Sequence, residues 1–460
     1  MSILKFTGNP FIDNGAAVIA ASCNKTEFED INEKDIMDNL DNFFDCIKFC
    51  YNYENAAANE RKYSKKGLKQ HLLQIYTTNH YLHGINNYIE DRENPGKKKK
   101  VSNFNEYKQS IKIEVEALLR GNGAHVHNQS QNIEGNICRF CGKPADILLS
   151  KDIFPLMAGK EVNNLGLIYC CNGCYLANLF YYANMVNIKK DEKNSGFYMM
   201  YGCNNEKALI EIARLNLLYL RQTQFGSIKT YIGNLYESLV NDMEDKLRVI
   251  NKIIRVSNLN FSAYFIINDN RGGTFMSINI PDGIWKFIVY CKNVSNDWEK
   301  IKGRFKEDDY KKFIEGNLSF NYFYGLKDCL IYYLREVKKV NESLISAIER
   351  ISNNLLKTFR IKGDSWPIDY EKKFSKQKSY EFLNSLFNIN ENYFKVNGQN
   401  LFDFNDIKLL LDNAQKSNFI YSLAKYFIYN SMNNKEREIY VTYCKGKQNI
   451  NIEEDRANEN

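Results

Sequence analysis

The sequence predicts an α+β protein, predominantly α-helical. An N-terminal mixed domain carries an inserted four-cysteine knuckle and a β-hairpin region, and a C-terminal helical bundle follows. Three observations carry this reading. Over most of the chain apolar residues recur at three- and four-residue steps, the signature of amphipathic helices. One interval, 261–291, turns β-branched and aromatic. Two cysteine pairs, Cys138-Arg139-Phe140-Cys141 and Cys171-Asn172-Gly173-Cys174, have the spacing that lets a tight turn aim both sulfurs at one point. At 460 residues, 44% of them apolar and 14% aromatic, the chain can bury a sizeable core and is not a disordered segment. The expected boundaries are 1–325 for the mixed domain, 326–445 for the bundle and 446–460 for a polar tail.

The opening is turn-rich. Thr7-Gly8-Asn9-Pro10-Phe11-Ile12-Asp13-Asn14-Gly15 carries glycine near both ends, and Ala16 to Ala21 follow as a short apolar helix or strand within a strand-like start, 1–22. Asn9, Asp13 and Asn14 suit side-chain bonds to the backbone of that turn. From Thr26 the pattern is helical, with Leu40, Phe43, Phe44, Ile47 and Cys50 on one face. Further helices are expected at 71–91, 104–120, 205–222 (Ala208, Ile212, Leu215 and Tyr219 along one face) and 227–256. The stretches FSAYFII and FMSINIPDGIWKFIVY flank Asn270-Arg271-Gly272-Gly273 and predict a hairpin. Beyond 326 the chain is helical to about 444, broken at Gly363-Asp364-Ser365-Trp366-Pro367.

Net charge is +7, from 62 basic and 55 acidic residues, so clustering decides more than the total. Arg61, Lys62, Lys65, Lys66 and Lys69 would share one helix face, and Lys97, Lys98, Lys99 and Lys100 form a solvated loop after the turn at Asn94-Pro95-Gly96. From Lys327 to Lys378 there are twelve Lys/Arg and seven Asp/Glu, a net of +5. Within it Arg335, Lys338 and Lys339 read as one face, and Lys372, Lys373 and Lys376 as another. Both a solvated face and a phosphate contact fit such patterns. No apolar run reaches the roughly 18 residues of a spanning helix, and the opening lacks an apolar core with basic flanks. The expected location is therefore the cytoplasm, with no membrane contact.

Twelve cysteines in a chain this long do not read as a disulfide scaffold. Two pairs at this spacing suit the four thiolates of a tetrahedral structural zinc ion, with Cys138, Cys141, Cys171 and Cys174 as ligands. Cys170 could replace its neighbour Cys171, although Cys171 completes the spacing. Cys23, Cys46, Cys50, Cys203, Cys291, Cys329 and Cys444 lie in apolar contexts and read as core residues. Catalysis finds no support. The segment from Cys138 through Asp152-Ile153-Phe154-Pro155 is similar to the zinc-knuckle form of the HNH nuclease module, which needs an Asp-His pair before its Ile-x-Pro. Here that place holds Lys151-Asp152, and no histidine follows His127. His125 and His127 are surplus to a site filled by four thiolates. Phosphate-loop, nucleophile-elbow and HExxH patterns are absent from the sequence.

The opening Thr7–Gly15 motif, the paired cysteines, the missing catalytic set and the helical C-terminus together resemble the CXXC–CXXC CRISPR-associated proteins. These are the large subunits of type I-B (or I-A-like) Cascade surveillance complexes. The resemblance covers the layout of the whole chain and rests on those two motifs. It implies a non-enzymatic subunit near the crRNA 5′ handle that binds target double-stranded DNA beside the protospacer and reads the PAM. Such a subunit helps open the duplex, guides the displaced non-target strand and docks the helicase–nuclease. Its other partners would be the backbone, handle-binding and small subunits, and its C-terminal domain is similar to the separate small subunit. Within this frame the basic residues named above are candidate backbone contacts, and Asn268, Asn270 and Arg271 at the hairpin tip could enter a groove or simply form the turn. A zinc-knuckle nuclease and a generic zinc-stabilised interaction protein are the alternatives.

Overall fold

The computed structural model describes residues 3–47, 88–90, 98–100, 104–120, 136–145, 147–148, 169–190, 197–222, 229–254, 259–269, 272–374 and 379–444. The fold is mostly helical with a small mixed sheet. The chain divides into two compact units, Met1–Trp285 and Lys286–Asn460, earlier than the 325/326 boundary that composition suggested.

The first unit is organised around α1 (Pro10–Ser22), where the sequence suggested a strand-like opening. The turn motif is the start of this helix. Asn9 is its N-cap, with Oδ1 accepting from the backbone N–H of Phe11 at 3.0 Å and of Ile12 at 3.2 Å. Pro10 stands in the first turn, where its missing N–H costs nothing. Thr7 donates to Asp13 Oδ1 through both its backbone N–H (2.8 Å) and its hydroxyl (2.7 Å), folding the approach back onto the helix. Every residue from Phe11 to Ala20 is buried. A helix that is apolar or small on all sides has no solvent face and becomes an interior element.

Around α1 pack α2 (Glu33–Ile47), α4 (Asn172–Asn178), the 3₁₀ turn Tyr181–Asn184 and α5 (Glu206–Gln222); α3 (Phe104–Leu119) lies against α2 and α4. The predicted face of α2 is buried at Leu40, Phe43, Phe44 and Ile47, but the helix begins at Glu33, later than Thr26. Cys50 lies outside the described residues. In α5 the predicted residues Ala208 and Ile212 are buried, whereas Leu215 and Tyr219 are only half-buried. The true inner face runs through Leu209, Ala213, Asn216 and Leu220, because α5 is covered by α1 as well as by its neighbours.

The sheet has the order β7-β5-β6-β8-β9, from β5 (Val186–Lys189), β6 (Phe197–Cys203), β7 (Thr230–Ile232), β8 (Phe261–Asp269) and β9 (Gly272–Ile280). All pairs are antiparallel except β5 with β7. The helix expected at 227–256 therefore opens as a strand, and its helical part is α6 (Leu235–Ile254). The hairpin is present in the register Phe261↔Ile280 to Asp269↔Gly272, but it ends at Ile280. Pro281 stops the strand, and IWKFIVY belongs to α7 (Asp282–Asn293). A short apolar run cannot distinguish a buried helix from a strand. Tyr88–Glu90 and Lys98–Lys100 form an antiparallel pair, β1 and β2, where a helix end and a loop were expected.

Two buried polar systems fix this unit. Asn14 of α1, fully buried, donates from Nδ2 to the carbonyls of Pro10 and of Tyr201 on β6, both at 2.7 Å. Its Oδ1 accepts from Asn184 at 2.5 Å, and Asn184 Oδ1 accepts from Asn216 of α5 at 2.7 Å. Below the sheet, Asp242 of α6 accepts from the Tyr201 hydroxyl at 2.7 Å and the Tyr231 hydroxyl at 3.0 Å, and pairs with buried Lys246. Burial lowers the Lys246 pKa against the pull of Asp242.

The second unit begins within α7 and continues through α8 (Trp298–Lys302), α9 (Glu307–Ile314), α10 (Lys327–Glu336), α11 (Glu342–Arg360), α12 (Trp366–Phe374), α13 (Ser379–Asn397), α14 (Phe404–Asp412), α15 (Ser417–Asn430) and a last helix, 434–444. The break after α11 falls where Gly363, with φ of +86°, turns the chain. Asn341 and Asp403 cap α11 and α14. Arg350 grips Asp406 with two bonds, joining α11 to α14, and Arg360 grips Glu436 at 2.9 and 2.8 Å.

Two outcomes are expected from these contacts. Asn14→Ala strips partners from Tyr201 O and Asn184 Nδ2 in the interior and should cost about 3 kcal/mol, read by chemical denaturation. Asp13 is 2% exposed, and burial pushes its carboxyl up to about 6 although bonds from Thr7 pull it down. A carboxyl with a higher pKa folded than unfolded binds protons more readily when folded, so its contribution to stability falls as pH rises from 3.8 to about 6. Asp13→Asn should flatten that slope in thermal melts across the same window.

Candidate metal centre

The first cysteine pair sits on a knuckle. Ile137 bridges Pro144, the Cys138 N–H donates to Lys143 O at 2.7 Å, and the Gly142 N–H donates to Cys138 O at 3.0 Å. The reversal needs a left-handed residue, and Gly142 supplies it with φ of +73°. The chain then runs into β3 (Ile147–Leu148), which pairs with β4 (Tyr169–Cys170). An Arg139 N–H bond to Tyr169 O at 3.0 Å lays the knuckle on β4.

The second pair opens α4. Cys171 is its N-cap, and its sulfur accepts from the Cys174 N–H at 3.4 Å. The extended cap followed by one helical turn swings Cys171 and Cys174 to the same side. The sulfurs of Cys138, Cys141, Cys171 and Cys174 all lie within 4.8 Å of one another. Cys138, Cys171 and Cys174 are buried, and Cys141 is partly exposed. Every described cysteine is a free thiol.

This donor set fits a tetrahedral ion. Metal–sulfur bonds of about 2.3 Å, the length found for zinc, place sulfurs about 3.8 Å apart, and Cys141 Sγ lies 3.5 Å from Cys171 Sγ. Thiol hydrogen bonds from Cys170, Cys171 and Cys174 favour the thiolate at Cys138, while Cys171 and Cys174 are pushed up, each foremost by its bond with Cys138. A bound cation is what would let these neighbouring thiols ionise together. Cys170, on β4, stands behind the group. Its sulfur bonds Cys171 O at 3.4 Å, and it is not among the four that converge.

Arg61, Lys62, Lys65, Lys66, Lys69, Lys97, Asn270, Arg271, Lys376, His125 and His127 lie outside the described residues. Lys98, Lys99 and Lys100 are in β2, and Asn268 is in β8 opposite Gly273. Arg335, Lys338 and Lys339 do not share a helix face. The helix α10 ends at Glu336, and Lys339 takes a left-handed turn with φ of +53°. Arg335 pairs with Glu336 at 3.2 Å and sits over the Tyr332 ring, and Lys338 bonds Asn317 at 3.0 Å. Lys372 and Lys373 are exposed on α12. Among the cysteines expected in the core, Cys23, Cys46, Cys291 and Cys329 are buried, while Cys203 and Cys444 are only half-buried.

The glycines beside the site were not singled out from the sequence. A Cβ on Gly173, between the second pair of cysteines, would collide with Ile3 O, and a Cβ on Gly15 would collide with Ala177 O. The opening segment, from Ile3 to Gly15, and the helix α4 are therefore pressed together backbone to backbone. Gly in both motifs was the available signal, but only the partner's position gives it meaning.

No family model, curated protein or solved structure matches the chain.

The chain should purify under reducing conditions with one equivalent of metal by elemental analysis. Cys138→Ser should abolish that and expose 136–178 to protease, since a structural ion of this type contributes on the order of 10 kcal/mol to local folding.

Proposed function

We propose that this protein is the non-catalytic large subunit of a type I CRISPR RNA-guided surveillance complex of the I-B or I-A-like kind, braced by a structural zinc ion. In this reading it binds target double-stranded DNA next to the protospacer, recognises the PAM, assists strand separation and recruits the helicase–nuclease. The observation that carries the reading is the packing of its two signature motifs into one body. Gly15 of the opening motif lies against Ala177, just beyond the cysteine turn, and Gly173 inside that turn lies against Ile3, just before the opening motif. Segments remote in sequence thus meet in one body at both motifs, which supports reading the two together.

The metal has no catalytic part here. Four thiolates complete a tetrahedral shell and leave no open position for water or substrate. DNA contact would come from basic surfaces. Lys372 and Lys373 stand exposed on α12, with Lys373 over the Phe374 ring at 5.9 Å, and Arg335 stands exposed on α10. Arg335 and Lys338 would have to exchange their present partners for phosphate.

Co-expression with backbone subunits and crRNA should yield a stoichiometric complex containing this chain. Its absence from that complex would remove the reading, and metal-dependent cleavage of plain duplex by the purified chain would replace it with the nuclease. In the assembled complex, Lys372→Ala with Lys373→Ala should lower the slope of log affinity against log salt by about 2 if both contact phosphate on duplex DNA.

A further inference from the structure

We infer that the metal centre also docks the beginning of the chain, so that loss of the ion releases the segment Ile3–Asp13 along with the knuckle and α4 while the sheet of the first unit stays folded. This rests on the cysteine cluster being metallated and goes beyond a local brace.

The link is the short helix α4. It has seven residues, Asn172–Asn178, and a helix of that length is not stable alone. Its first turn is held by Cys171 and Cys174, two of the four converging sulfurs. The same helix carries both backbone contacts to the opening segment. Ile3 O lies on Gly173, inside the cysteine turn, and four residues on Ala177 O lies on Gly15. One helical turn, a rise of about 6 Å, thus presses on the opening segment at two places. Between them the segment pairs with no strand among the described residues. Its order comes from the Thr7–Asp13 bonds, the Asn9 cap and burial of Leu4, Phe11 and Ile12. The later half of α1 is held differently, by Asn14 to β6 and by its packing on α5. Withdrawal of the ion should therefore loosen Ile3–Asp13 first and Ala17–Ser22 least.

Coupling of this kind is reciprocal. A change that displaces Ile3 from α4 must weaken metal binding even with every thiol in place. Gly173→Ala is such a change, because its new methyl group meets Ile3 O and no ligand is altered.

The test is hydrogen exchange of the full chain, with zinc and after removal of zinc by chelator under reductant. The reporter amides are those of Thr7, Asn9, Phe11, Ile12 and Asp13, each now bonded within the segment. They should exchange at least about tenfold faster without zinc and recover on its return, while β8 amides stay protected. In chelator competition Gly173→Ala should bind zinc roughly tenfold more weakly. Unchanged reporter amides in the stripped protein, or β8 amides released together with them, would overturn the inference while leaving the metal centre standing. A protein that binds no zinc would overturn both.

Discussion

The first unit depends on burying a helix that carries polar groups on its inner face. Phe11 to Ala20 are all buried and Asn14 wholly so, so its amide must find partners inside. It finds them on three elements: its own helix at Pro10, strand β6 at Tyr201, and Asn184 of the 3₁₀ turn, which passes the chain of bonds to Asn216 of α5. Each bond adds only about 1 kcal/mol net, but each orphaned partner would cost 1–3 kcal/mol or so. The relay therefore acts chiefly against alternatives. A helix of small apolar residues could slide or rotate among its neighbours at little cost. With Asn14 in place, other registers leave buried amides unpaired.

The same logic holds below the sheet. Asp242 is wholly buried, and Lys246 nearly so. A buried ion pair is poor value as stabilisation, because desolvation offsets attraction. Here the carboxylate also accepts two tyrosine hydroxyls, one from β6 and one from β7, so three partners share one buried charge. That arrangement ties α6 to strands on either side of β5. The four converging cysteines join the knuckle to α4 in the corresponding way, and an ion held there would be their hub. In all three systems a single group joins elements remote in sequence, and in all three the surrounding apolar core would tolerate several alternative packings without it.

The two units differ in how they reach uniqueness. The first uses interior polar hubs around one buried helix, α1. The second is a set of amphipathic helices with ordinary caps, held at its rim by the forked Arg350–Asp406 and Arg360–Glu436 pairs. Arg360 and Trp366 both bond Glu436, and Arg360 foremost holds its carboxyl down at about 2, so this rim contact stays charged throughout the neutral range.

By itself the sequence determined the helical majority, the hairpin, the break at Gly363 and the four cysteines, because each of these is a local matter: periodicity, turn chemistry or two-residue spacing. It determined less where one residue pattern serves two backbones. The apolar run after Pro281 is helix, the opening is a capped helix, and Lys98–Lys100 pair as a strand, since burial and pairing are settled by neighbours that the local pattern does not contain. Only the tertiary structure decided that Cys171 and not Cys170 completes the cluster, through the N-cap geometry of α4. Only it decided that Asn14, Asn184 and Asn216 form one relay, and that Gly15 and Gly173 are small because another backbone lies against each. Spacing along a chain fixes which side chains share a turn. Which distant backbone reaches that turn is decided by packing, and here it is Ile3, just before the opening motif.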